Sequence, residues 1–114
     1  MEFDHYREIL DSWPMSILFC DMDHIIRYMN PAAEQHYYQH RSYQPLIGTN
    51  VLDYHKPETR ERIYQLVEEM KAGGEEKRIG TVRGEGYRVH MMPVRDREGN
   101  MIGYCQKFLP PQDD

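Results

Sequence analysis

The chain is poor in several things whose absence excludes whole classes of protein. It has 2 cysteines in 114 residues, Cys20 and Cys105, far apart and each inside an apolar stretch. That is neither a disulfide framework nor a CxxC redox or zinc motif, and a free thiol in such a setting is a small buried hydrophobe. Positive charge is in deficit, with 14 Lys and Arg against 19 Asp and Glu for a formal net charge of -5. Nucleic-acid binding needs clustered basic residues, so no nucleic-acid partner is expected. No apolar run approaches the ~20 residues that span a bilayer. The start, MEFDHYREIL, carries acids where a secretory signal would be basic and then apolar. No membrane contact is expected, and the cytoplasm is the expected compartment. There is no glycine-rich phosphate loop, no G-x-S-x-G elbow and no pair of acids in a recognisable frame, so the chain does not read as an enzyme. Asp53 and His55 are spaced as an acid–base pair only in principle.

What is present fits one domain with one core: 39% hydrophobic and 29% charged residues, without repeat, linker or low-complexity segment. Phe3, Tyr6, Ile9, Leu10 and Trp13 recur at steps of three and four, which predicts an amphipathic helix over 1–13 that Pro14 ends. "SILFCD" and "HIIRYMN" predict strands near 16–21 and 24–29, joined by the turn "DMDH". Asn30 then stands as an N-cap, with Pro31 at the first position of the short helix "PAAEQHYY". Residues 41–54 are irregular. Pro57 opens a helix over 57–72 whose Ile63, Leu66, Val67 and Met70 share a face, and Gly73-Gly74 closes it. Strands follow near 76–83, 86–95 and 100–109, separated by "GEG" and "DREGN". The sum is an α+β domain with one five-stranded antiparallel sheet and helices on one face.

Three stretches in this order carry a family likeness. "FCDMDHIIRYMNPAAEQHY", "LIGTNVLD" and "MMPVRDREGNMIGY" resemble the opening hairpin and N-P-A-A-E helix start, the segment before the long helix, and the closing hairpin of the PAS domain family. The likeness spans about residues 13–109 and departs at His24, where the first hairpin of the family often carries glycine. It implies a single PAS domain over 1–114, with an N-terminal helix over 1–13, a core over 14–109 and a tail over 110–114. It also implies a pocket between sheet and helices, used in the family for haem, flavin or small metabolites or filled as core. Signalling then passes through dimerisation and partner domains, with the N-terminal helix, amphipathic and rich in large apolar residues, expected in a homodimer interface. The last strand runs directly into "FLPPQDD", as expected of a piece of a larger sensor or of a stand-alone adaptor.

The resemblance also ranks the cofactors. The reactive-cysteine segment of light-sensing relatives is absent, which argues against a photoreactive flavin. The histidine that oxygen-sensing haem relatives carry inside the long helix has no counterpart in "TRERIYQL". A second branch, similar to carbon-monoxide-sensing transcriptional regulators, places its ligand just before that helix in an L-H-P-E-x-x-R segment. Here "Y-H-K-P-E-T-R" keeps His55 at the same spacing from Arg60, with Lys56 displacing the proline. The resemblance therefore implies haem, with His55 as axial ligand to the iron. His90 and Met92, on one strand face of "VHMM", are candidates for the opposite axial position. Arg60 and Arg62 are candidates for the propionates. Two other readings stand beside this one. His55 serves equally well as a polar residue at the helix start, and the pocket of a ligand-free interaction module is simply core. His36 and His40, at i, i+4 in "HYYQH", have chelating spacing on a helix but no third ligand.

Overall fold

A computed structural model of the protein describes residues 4–40 and 45–111, and for Gln39 and His40 the backbone alone. Alternation sets the first strand. In β1 (Ile17–Asp21), Leu18 and Cys20 point inward and are buried, while Ile17 and Phe19 take the outer face. The chain reverses through Asp21–Ile25, where the Asp21 carboxylate accepts from the backbone N–H groups of Asp23 and Ile25. His24 stands there in the left-handed region, φ 66°. It holds that conformation while its Nδ1 lies 2.8 Å from the hydroxyl of the fully buried Tyr104. Strand β2 (Ile26–Met29) returns antiparallel to β1 and is shorter than the predicted 24–29, because Ile25 bridges instead to Asn50.

Asn30 is fully buried and explains the N-P-A-A-E start. Its Oδ1 accepts from Ala33 N at 2.9 Å, capping α2 (Pro31–Glu34), and from Ile17 N at 3.1 Å. Its Nδ2 donates to the carbonyl of Met15 at 2.9 Å, tying the N-terminal segment to the sheet. After α2 the chain widens into a π-helix (Gln35–His40), where a single α-helix was expected. The expected helix at the N-terminus is also shorter than predicted. Helix α1 is Tyr6–Asp11, and Phe3 lies outside the described residues.

A 3-10 turn (Val51–Tyr54), capped by Asn50, delivers the chain to α3 (Pro57–Lys71). The predicted apolar stripe is the buried one: Ile63, Leu66, Val67 and Met70 pack in the core cluster with Leu18, Cys20, Met91 and Tyr104. Full burial stabilises by about 1.5–3 kcal/mol for each such side chain. At the other end of α3, the Arg95 guanidinium donates to the carbonyls of Met70 (2.6 Å) and Gly74 (3.0 Å), a cation placed at a helix C-terminus. Strands β3 (Lys77–Thr81), β4 (Arg88–Arg95) and β5 (Met101–Leu109) complete one antiparallel sheet in the order β2-β1-β5-β4-β3. The last strand in sequence is thus the central one, flanked by β1 and β4. Both cysteines are buried, and burial raises their pKa values, to about 12 for Cys20 and about 11 for Cys105, which leaves them protonated at neutral pH.

Candidate ligand cavity

The inner face of the sheet does not fill completely against the helical segments. A cavity of about 350 Å³ remains, within the range of small-molecule sites. Leu18, Ile26, Val89 and Phe108 on the sheet and Leu46 and Val51 from the segment between β2 and α3 give it apolar walls. Its rim is the exposed set Tyr54, Thr59, Gly80, Thr81 and Arg83, from the 3-10 turn, the first turn of α3 and the β3 edge with the turn after it.

His55 lines this cavity. Pro57 forces Lys56 into an extended conformation (φ −68°, ψ 158°), and His55 is itself extended (φ −121°, ψ 151°), so it stands just outside the helix. The imidazole is half-buried, and its ring nitrogens have no hydrogen-bond partner among the described residues. It does not cap α3, and it does not pair with the exposed Asp53. Desolvation holds its pKa below the ordinary histidine value, so at neutral pH the ring is uncharged with a lone pair available. That is the state in which imidazole ligates a metal.

The other expected site residues separate from it. Arg60 is half-buried and Arg62 exposed, and neither lines the cavity. On β4 the inward residues are Val89 and Met91, whose cross-strand partners on β5 are Phe108 and Gln106. His90 and Met92 alternate to the outer face, opposite Lys107 and Cys105. There His90 Nδ1 lies 2.7 Å from Glu76 Oε2, while Lys107 Nζ sits 2.9 Å from Glu76 Oε1 and 3.5 Å from Met92 Sδ. The sheet itself lies between this cluster and His55, so His90 and Met92 cannot share a ligand with His55. Of the histidine pair, His36 borders the cavity with its ring edge-on to Phe108 at 4.8 Å, and the side chain of His40 lies outside the described residues. No group of three His, Cys, Asp or Glu side chains forms a metal site among the described residues.

Two residues of the cavity were not anticipated. Gln106 is 6% exposed, lines the cavity, and its Nε2 is buried without a hydrogen-bond partner. The signal lay in "GYCQKFL": a glutamine in phase with Tyr104 and Phe108, both inward. Arg83, in the turn after β3, stands on the rim, and nothing in "TVRGEGY" marked it out.

One antiparallel sheet with helical segments and a cavity of small-molecule size on its inner face is the architecture, and comparison identifies the family. The chain belongs to the PAS fold family, whose model matches residues 10–110. Among solved structures it is similar to a C-terminal domain from Streptococcus mutans, at 20% identity and TM-score 0.76, covering 96% of this chain and 90% of that one. It is similar to the Aer2 receptor from Vibrio cholerae, a dual PAS-haem oxygen sensor, at 22% identity and TM-score 0.59, covering 83% and 92%. It is also similar to a sensory box sensor histidine kinase from Vibrio cholerae, at 14% identity and TM-score 0.63, covering 90% and 86%. No curated protein matches the sequence. Likeness at these identities speaks to the fold, which is the PAS fold.

Proposed function

We propose that this PAS domain senses a ligand held in the cavity beneath His55, and that the ligand is haem bound through the His55 imidazole. The observation that carries the reading is the state of that ring: neutral by desolvation, uncommitted to any hydrogen bond, and set on the cavity wall. A structural histidine at a helix start would be expected to spend its nitrogens on the backbone N–H groups, and this one does not. When bound, the iron would supply reversible binding of a diatomic gas or a change of redox state. The protein's part is to hold the imidazole neutral and oriented, to exclude water with Leu18, Ile26, Val89 and Phe108, and to register occupancy through the sheet.

The donor chemistry fits haem on one side only, since His90 and Met92 are on the far face of the sheet. An iron porphyrin is also bulkier than the cavity, so binding requires the rim at Tyr54, Thr59 and Thr81 to move outward. Output passes to a signalling partner or attached domain in the cytoplasm, from a homodimer formed through α1. Tyr6, Ile9 and Trp13 on that segment are 64%, 57% and 52% exposed, more apolar surface than an isolated surface helix needs. The test is reconstitution: purified protein mixed with haemin should develop a Soret band that remains after gel filtration. Protein that elutes colourless would remove haem from the account.

A further inference from the structure

The polar groups around the cavity are of one kind. No Asp or Glu lines it among the described residues, although acids outnumber bases in the chain. The polar side chains that do line it, Arg83, His55, Thr59, Thr81 and Gln106 together with His36, Tyr37 and Tyr54, are all able to donate. Arg83 forms no hydrogen bond or ion pair among the described residues, so its guanidinium is uncommitted at the rim.

Two further observations agree in sign. Helix α3 is 15 residues long, and its N-cap, Lys56, makes no side-chain capping bond, so its first N–H groups lack a side-chain acceptor. The only acid in that first turn, Glu58, is exposed and does not line the cavity, whereas Thr59 does. The helix N-terminus therefore places partial positive charge at the rim that Arg83 also lines. Independently, Gln106 Nε2 is a donor more than nine-tenths buried and unpaired, and a buried donor left without an acceptor is costly. An acceptor oxygen on the body of a ligand, apart from the rim, would satisfy it, so Gln106 marks the cavity as a ligand site without itself holding a rim carboxylate.

Resting on the reading of the cavity as a ligand site, we infer that its ligand is an acid. It would have an apolar body against Leu18, Val89 and Phe108, with a carboxylate at the rim held by Arg83 and the first turn of α3. Arg83 thus takes the anion-binding role that the sequence assigned to Arg60 and Arg62. A free organic acid and the propionate edge of haem present the same chemistry, and they separate experimentally.

Calorimetric titration of the full chain with octanoate and with octanol compares a carboxylate with a neutral body of the same length. Octanoate should bind 1:1 and at least about tenfold more tightly than octanol, the scale of a lost charge-assisted hydrogen bond. Arg83→Ala should weaken octanoate by about tenfold and leave octanol unchanged, and Arg83→Lys should restore part of the loss. Haemin and its dimethyl ester form the second arm. If haemin binds and octanoate does not, the acid is the porphyrin's propionate, and the ester should bind at least about tenfold more weakly. Equal affinity of acid and neutral partner in whichever pair binds, or an Arg83→Ala protein that retains wild-type affinity for the acid, would overturn the inference and leave the cavity reading standing. Saturable binding of none of the four would overturn both.

Discussion

Replacing Asn30 with alanine strikes the joint that fixes the N-terminal segment, β1 and α2 together. The side chain is fully buried and engaged at both ends, accepting from Ala33 N and Ile17 N and donating to the Met15 carbonyl, with longer contacts to the carbonyls of Trp13 (3.3 Å) and Leu10 (3.4 Å). Loss of the N-cap alone costs ~1 kcal/mol. The Ile17 N–H and Met15 carbonyl, stripped of their partner in a partly buried setting, add about 1 kcal/mol each, the low end for unsatisfied groups that water can partly reach. The expected destabilisation is about 3 kcal/mol, a large share of the ~5–15 kcal/mol stability of such a domain. At ~4 °C per kcal/mol for a chain near 100 residues, the midpoint should fall by about 12 °C. Thermal unfolding followed by circular dichroism measures the midpoint, and urea unfolding followed by Trp13 fluorescence measures the free energy. Asn30→Ser keeps a capping oxygen for α2 and loses the amide donor, so it should cost less than alanine, about 2 kcal/mol. A loss below about 1 kcal/mol for alanine, or equal losses for the two variants, would refute the reasoning.

Gly103 lies on β5 beneath the Phe19 ring, and a Cβ there would collide with that ring and with the Cys20 carbonyl. Gly103→Ala should destabilise by about 1–3 kcal/mol in the same unfolding assay. His24 and His55 both have pKa values lowered first by desolvation. As pH falls below ~6.5 the unfolded chain takes up protons before the folded one, so stability should decline from pH 7 towards pH 5.5. The double variant His24→Gln, His55→Gln should show a flatter profile over that window, and an unchanged slope would contradict the assignment. On the proposed homodimer through α1, wild type should scatter light as a dimer at micromolar concentration and Trp13→Glu as a monomer, with unfolding stability within about 0.5 kcal/mol of wild type because the side chain is exposed.

The fold was legible because its signals are local. Alternation in "SILFCD" and "YRVHMMPVR", the Asn30-Pro31 start, and the α3 stripe ended by Gly73-Gly74 each follow from one residue's neighbours along the chain. Element ends were less so. Tertiary bonds shifted them, as when Ile25 left β2 to bridge Asn50, and the widening of Gln35–His40 into a π-helix has no composition signal. The site was legible only where the backbone dictates position. Pro57 places His55 outside α3, but which face of β4 meets the cavity depends on the pairing of β4 with β5, and that pairing turns His90 and Met92 outward. Arg60 and Arg62 are near His55 in sequence yet do not line the cavity, whereas Arg83 reaches the rim from a turn more than twenty residues away.

The central claim is that the His55 imidazole itself engages the ligand. His55→Gly removes the ring and leaves space for a diffusible replacement, so the variant mixed with haemin, with and without added imidazole, gives the most direct measurement. The account predicts a lost or strongly shifted Soret band in His55→Gly and recovery of the wild-type spectrum as imidazole is added, with His90→Gly unchanged throughout. A His55→Gly protein whose spectrum matches wild type without imidazole would contradict it.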